Sequence, residues 1–413
     1  MKLFSVNKGL CALFALSSCL VAPATVAQDS VLTLEDAIKA SKVLANVRLR
    51  YEGADFDNST KSADALTYRL RAGFETGAFM STKLLVEFDH IDDLAGDFND
   101  TVNGNTGFAV IADPDATELN RFQLTNTALP DTKVTVGRQR IILDDSRFVG
   151  NVGWRQNEQT FDAVRFTNTS IKGLTLDASY VDQVNRIFGD DAPSGRFDSD
   201  SWLLNAGYKV PVDGADVKVS AFAYLLDLSN AGLSSNTYGA QLSVKKGPLG
   251  FVGRYATQSD TGKNPIDYTA DHFFAEGSYK KKGFTLAGGY EVLGADKNSA
   301  GRFTTPLATL HKFNGFADVF LGTPTAGLED AYVKAGYKTG PIGSLPFVNM
   351  FAVYHDYDSD EGSVDLGSEI DAVIATKIAK KVGLLFKFAD YSQGDAGTPF
   401  CRSRYSVQFD YSF

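Results

Sequence analysis

From residue 44 onward the chain alternates between apolar and polar positions. Tyr68, Leu70, Ala72 and Phe74 interleave with Arg69, Arg71, Gly73 and Glu75, and Tyr238, Ala240, Leu242 and Val244 with Gly239, Gln241, Ser243 and Lys245. A strand points successive side chains to opposite faces, so these segments are strands with one greasy and one wet side. The sequence holds eighteen such segments, from 44–52 to 402–413, each close to the roughly 9 to 11 residues that a tilted membrane strand needs. The last is the clearest: Tyr405, Val407, Phe409, Tyr411 and Phe413 alternate with Arg404, Ser406, Gln408, Asp410 and Ser412.

A β-sandwich alternates as well, and the connections separate the two architectures. Short links such as 76–81, 128–131, 246–248 and 281–283 take turns with long ones such as 92–117, 144–159, 185–200 and 294–327. Short turns at one end and long loops at the other are the pattern of an up-and-down transmembrane barrel. The predicted fold is therefore all-β, an antiparallel barrel of about eighteen strands over residues 44–413. Residues 309–320 are apolar enough for a further strand, but Asn314-Gly315 interrupts them. They are placed in the long external loop, folding inward.

The N-terminus changes the picture in one respect. Residues 1–27 read as a signal peptide, with Lys2 and Lys8 ahead of an apolar run and Thr25-Val26-Ala27 as the exit. A rival reading takes Leu16-Ser17-Ser18-Cys19 as a lipoprotein box with Cys19 lipidated. Residues 28–43 look like a short periplasmic helix, or else a plug or docking segment. Thr33 would cap 34–42, with Leu34, Ala37, Ile38 and Ser41 on one face. Cleavage after Ala27 removes Cys11 and Cys19, leaving Cys401 and no internal disulfide. It also removes two of the 40 basic residues against 50 acids, giving a net charge of −12 that argues against a nucleic-acid partner.

Candidate chemistry follows from the wet face. An arginine facing lipid costs about 2–4 kcal/mol at the midplane, so the i, i+2 pairs Arg48/Arg50 and Arg69/Arg71 should face a lumen. Arg138 and Arg140 form a third pair, with Arg121 and Arg165 on flanking strands. Parity is awkward there, because Val134 and Val136 share a face with Arg138 and Arg140. Either Gly137 bulges or other residues carry the apolar band. One reading is an arginine wall that attracts anions and grips carboxylates bidentately. The other pairs these arginines with Glu52, Glu75, Glu87 and Asp89 across the strands, satisfying a polar interior. Asp92, Asp93, Asp97 and Asp100, and the run from Asp356 to Gly362, read as solvated loop acids; the latter lacks the spacing of a calcium loop. His90, His272, His311 and His355 are scattered without metal-ligand spacing. No metal, cofactor or enzyme activity is expected.

Three stretches carry a family resemblance. They are Gly137-Arg138-Gln139-Arg140-Ile141, Gly153-Trp154-Arg155-Gln156-Asn157 with Phe161-Asp162-Ala163-Val164-Arg165, and the run Thr305 to Asp318 through His311, Lys312 and Asn314. They resemble the alginate export family of outer-membrane channels. The resemblance implies a monomeric eighteen-stranded barrel whose arginine-rich lumen, Asp162 included, is narrowed by an inward loop bearing His311, Lys312, Asn314 and Asp318. The final strand resembles the ending that barrel-assembly machinery reads, with Phe413 as its terminal aromatic. Expected surroundings are the lipid and lipopolysaccharide of a Gram-negative outer membrane. The expected function is passive passage of small hydrophilic, anionic solutes. An export conduit for an anionic polysaccharide, with uronate oligomers as ligands, and a structural or adhesion barrel with a closed pore stand as alternatives.

Overall fold

The computed structural model describes residues 33–395 and 399–413. The predicted signal peptide and residues 28–32 lie outside the described residues. A short helix, α1 (Leu34–Lys39), opens the described chain with a reciprocal cap between Thr33 and Asp36. It ends three residues earlier than predicted. Its Ala37 is buried, and the Ala37 carbonyl accepts a 2.9 Å bond from Gly77 in the first short turn. Leu34 and Ile38, which the helical spacing puts on one face with Ala37, are exposed.

Eighteen strands follow. They are β1 (Lys42–Phe56), β2 (Ala63–Glu75), β3 (Thr82–Asp97), β4 (Ala116–Asn126), β5 (Thr132–Gln139) and β6 (Thr160–Asn168). Next come β7 (Leu174–Asn185), β8 (Arg196–Val210), β9 (Asp216–Leu226), β10 (Ser235–Lys246), β11 (Leu249–Asp260) and β12 (Thr269–Lys281). The last are β13 (Phe284–Leu293), β14 (Leu328–Lys338), β15 (Val348–Asp358), β16 (Asp365–Ala379), β17 (Val382–Gln393) and β18 (Arg402–Ser412). Each pairs antiparallel with its sequence neighbours, and β1 pairs β18 from Asn46–Ser412 to Phe56–Arg402, closing the sheet. Closure leaves no unpaired edge, the condition for strands to cross a bilayer.

Apolar residues such as Val47, Leu70, Phe122, Val136 and Tyr238 stand exposed on the outer face, where lipid covers them. The residues between them in sequence point inward. Part of the lumen is filled by an apolar cluster in which Ile141, Val149, Phe303 and Leu307 of the loops pack on Phe161, Val181, Leu203 and Tyr224 of the wall. Loop 98–115 makes a smaller cluster, Ile111 and Phe98 against Ala54, Phe56 and Ala65.

Three strand ends move with consequences for the loops. β5 stops at Gln139, so Ile141 and Leu143 enter the loop cluster instead of extending the strand. β3 runs on to Asp97 and β15 to Asp358, so Asp92, Asp93, Asp97, Asp356 and Asp358 are strand residues rather than loop acids. Residues 309–320 form no strand. They hold a single 3₁₀ turn, Leu310–Lys312, within the inward loop 294–327.

Candidate functional site: a constriction where three loops meet

Parity in β1 and β2 sends Arg48, Arg50, Arg69 and Arg71 inward, opposite the lipid-facing Val47, Leu70 and Phe74. Three of them donate to backbone carbonyls of loop 140–159. Arg48 donates from one nitrogen to the carbonyls of Gly153 (3.2 Å), Trp154 (3.1 Å) and Arg155 (3.2 Å), and from Nε to Asp410 at 3.0 Å. Arg50, fully buried, donates to Gln408 at 3.0 Å, pairs with Asp113 at 3.3 Å, reaches the Trp154 carbonyl and lies 3.9 Å over the Trp154 ring. Arg69 takes the Gln156 carbonyl at 3.1 Å. A loop tip buried in a barrel needs donors for its carbonyls, and these guanidinium groups supply them.

Behind them sits a ladder of opposite charges. Arg71 bonds Asp89 at 2.6 Å and pairs with Glu158 at 3.2 Å. Arg121 grips Glu87 through both carboxylate oxygens at 2.7 and 2.8 Å. Arg140, in the loop, donates to Glu158 at 2.6 Å and to Glu87 at 3.2 Å. Burial alone would raise the Glu158 carboxyl; Arg71 and Arg140 outweigh it and hold it at about 2.

Loop 294–327 comes from the far side. Its residue Leu307 makes a parallel bridge to Val149, and Thr309 Oγ1 accepts from the Val152 amide at 3.1 Å. Trp154 of one loop then stacks on His311 of the other, with centroids 4.6 Å apart and planes 8° from parallel. His311 Nδ1 donates to Asp318 at 2.6 Å, and Lys387 Nζ of β17 donates to His311 Nε2 at 2.8 Å. That accepting Nε2 requires a neutral imidazole. Burial agrees, pushing His311 down to about 3. Asp318 is held well below the usual carboxylate range against its burial, first by its contact with His311 and then by Arg404 and Arg155. Arg155 joins Glu52 (3.1 Å), Asp318 (3.2 Å) and Asp113 of loop 98–115 (3.5 Å), and its own protonated form is strengthened by them. Arg404 of β18 completes the node at Glu52, 2.8 Å away.

A second network ties loop 294–327 to β12–β16. Arg147 of the facing loop bonds Glu291 at 2.7 Å, and His272 reaches the same carboxylate at 2.9 Å. Asn314 donates to Glu291 (2.9 Å) and Asp330 (3.0 Å), and His355 holds Asp330 at 2.8 Å. The amides of Phe316 and Ala317 donate to Asp371 (3.2 Å) and Glu369 (2.7 Å). Gly315 makes this approach possible. It has φ +86°, and a Cβ there would lie 2.4 Å from the Glu369 carboxylate.

The structure therefore gathers Arg48, Arg50, Arg69, Arg71, Arg121, Arg140, Glu52 and Glu87 around one loop, and His311, Asn314 and Asp318 around the loop that meets it. Lys312 is exposed and turned toward the Asp145 carbonyl, away from that contact. Arg165 is inside but lies on β6, bonded to Asp177 at 2.9 Å. Glu75 sits beside the first short turn, with Lys83 at 3.3 Å. Arg138 and Asp162 depart from the expectation of a lumen position. Gly137 takes φ +111° without breaking register, so Arg138 keeps the parity of Val134 and Val136, opposite the outer-face Phe122. Arg138 pairs there with its cross-strand partner Asp162 at 2.9 Å, sparing either an unpaired charge. Arg140 escapes that face because the strand has already ended.

Trp154, Arg155, Asp113, Glu158, Lys387, Arg404, Glu369 and Asp371 also belong to the site, and none of them is among the candidate site residues that the sequence offers. Lys387 carried a usable signal, since a lysine between Phe386 and Phe388 must face away from lipid. Arg404 carried the same signal in the last strand. Trp154 and Arg155 stand in a stretch that carries the family resemblance, which names no contact partners for them, and Asp113 and Glu158 carry no signal because partners such as Arg50 and Asn120 lie tens of positions away.

Among known proteins, the model of a family described as Campylobacter major outer membrane protein matches residues 10–192, less than half of the chain. No curated protein matches it. Solved structures do. Pseudomonas aeruginosa OccK9 (OpdG) superposes with a TM-score of 0.68 at 16% identity, covering 91% of this chain and 99% of that one. Pseudomonas aeruginosa OccK8 (OprE) gives 0.65 at 18%, covering 91% and 98%, and Acinetobacter baumannii OccAB4 gives 0.67 at 15%, covering 90% and 98%. The fold is shared. A closed eighteen-stranded barrel with a lipid-facing band belongs in the outer membrane of a Gram-negative bacterium.

Proposed function

We propose that the chain is a selective outer-membrane channel for small hydrophilic anionic solutes, with its selectivity set where loops 140–159 and 294–327 touch. The fold shared with OccK9, OccK8 and OccAB4 supports a channel. One observation carries the sign of the charge. Lys387, on the wall at the contact, is held by the faces of Trp154 (3.8 Å) and Phe316 (3.9 Å) and by a neutral imidazole, with no carboxylate in ion-pair contact among the described residues. The arginines nearby are largely matched by Glu52, Asp113, Asp318 and Asp410. They attract anions less than an open arginine ladder would, and they serve first to fix the loops.

The uronate-polymer reading keeps one support, that the alginate-export-like run Thr305 to Asp318 supplies the inner loop of this contact. The closed-barrel reading is supported by the burial of Arg50, Glu52, Arg155 and Asp318.

Planar-bilayer recording tests all three. In a salt gradient the channel reading expects open-channel steps and a reversal potential of anion preference, reduced in Lys387→Gln and in Arg48→Gln/Arg50→Gln. Blockade by uronate oligomers but not by neutral sugars moves the conclusion to a polymer conduit. Silence until residues 303–320 are deleted moves it to a closed barrel.

A further inference from the structure

Where Trp154, Lys387 and β18 meet, a cavity of about 10 Å³ is lined by Glu52, Trp154, His311, Lys387, Arg404 and Ser406. That volume is of the order needed for one water molecule, too small for a carboxylate with its carbon tail. Trp154 Nε1 and Ser406 Oγ are buried without a hydrogen-bond partner among the described residues, and Ser406 is only 3% exposed. Buried donors of this kind cost about 1–3 kcal/mol each when left unmatched. Lys387 adds an ammonium whose single polar partner among the described residues is His311 Nε2. Glu52 does not neutralise it, since its oxygens are engaged by Arg155 and Arg404. Two neutral donors and a buried ammonium with no carboxylate in direct ion-pair contact among the described residues, around a monatomic-sized space, describe an anion seat.

We propose that this cavity binds a single halide ion, chloride in practice, held by Lys387, the Trp154 indole N–H and the Ser406 hydroxyl. The inference deepens the channel reading and rests on it for the anion's route to the seat. A resident halide matches the charge of Lys387 while the loops are closed. It also makes the seat a resting place for small inorganic anions, distinct from the larger solutes that must displace the loops.

Bromide tests this directly. Crystals of the full mature chain grown in bromide should show an anomalous peak in the cavity, within contact of Lys387 Nζ and Ser406 Oγ. In solution, a Trp202→Phe variant leaves Trp154 as the sole tryptophan. Its fluorescence should be quenched saturably by bromide, with chloride competing and gluconate not. Ser406→Ala should weaken the apparent affinity by about tenfold, the loss of one hydrogen bond to a charged partner, and Lys387→Met should abolish saturation. Cavity density without anomalous signal, or linear quenching indifferent to Ser406→Ala, overturns the seat and shows that it holds water only. Anion-selective conductance with a failed bromide test removes this site and leaves the channel. Bromide binding in a protein that never conducts removes the channel and leaves the site.

Discussion

Replacing Glu158 by Gln should loosen loop 140–159 by an amount that depends on pH in a defined way. The Glu158 carboxylate accepts from Arg140 at 2.6 Å, Asn120 at 2.7 Å and Asn151 at 2.8 Å, and pairs with Arg71 at 3.2 Å. Its carboxyl is moved from an ordinary 4.5 down to about 2. At about 1.4 kcal/mol per pH unit, that displacement corresponds to about 3 kcal/mol of folded-state stability at neutral pH. The folded state holds the proton less tightly than the unfolded state, so this stability is fully present above about pH 4.5. It drains away as pH falls toward 2, where glutamate and glutamine become near equivalents. The assay is equilibrium urea unfolding of the refolded barrel in detergent, wild type against Glu158→Gln, from pH 7 to pH 2. A difference of about 3 kcal/mol at pH 7 that vanishes near pH 2 is expected, similar in size to breaking a buried ion pair. A difference that is flat with pH, or below about 0.5 kcal/mol at pH 7, would refute the reasoning.

Gly315→Ala places a Cβ against the Glu369 carboxylate at a positive φ, so loop 294–327 should undock and single-channel conductance should rise while the barrel stays folded; unchanged conductance counts against a docked loop. Trp154→Ala removes the ring that touches Arg50, His311 and Lys387, and should also raise conductance and expose loop 140–159 to trypsin at Arg155; a protease-resistant variant would contradict this. Leu70→Arg puts a charge on the lipid face and should cost about 2–4 kcal/mol in the same urea assay, whereas a negligible effect would mean that Leu70 does not face lipid.

The barrel was legible because lipid is an unforgiving solvent. The cost of an exposed arginine oriented β1 and β2 correctly from sequence, and the turn rhythm gave eighteen strands. Legibility failed where that pressure lifts. Near the long-loop end Arg138 stays on the outer parity with Asp162 beside it, because a local partner and the rim make the exposure tolerable. The strand end at Gln139 is set by Ile141 and Leu143 packing into a cluster with Phe161 and Val181, a tertiary event that a period-two pattern does not encode. In α1, cap chemistry was readable from Thr33 and Asp36, but the buried face was not, since a single contact with the 76–81 turn decides it. The constriction was half readable. Arginines on strands announce themselves, whereas Asp113, Trp154 and Asp318 are brought together only by three loops folding into one lumen.

Arg48 and Arg50 belong to β1, their side-chain partners Asp410 and Gln408 to β18, and the carbonyls they hold to loop 140–159. These side-chain partners lie 362 and 358 residues apart in sequence, and the two strands adjoin only once the cylinder has been zipped shut. Until then each guanidinium lacks half of its coordination, and the loop lacks its fastening. Sealing the seam and setting the stopper are thus one event in the protein's assembly, so a barrel left ajar between its first and last strands would also be a barrel without its inner loop in place.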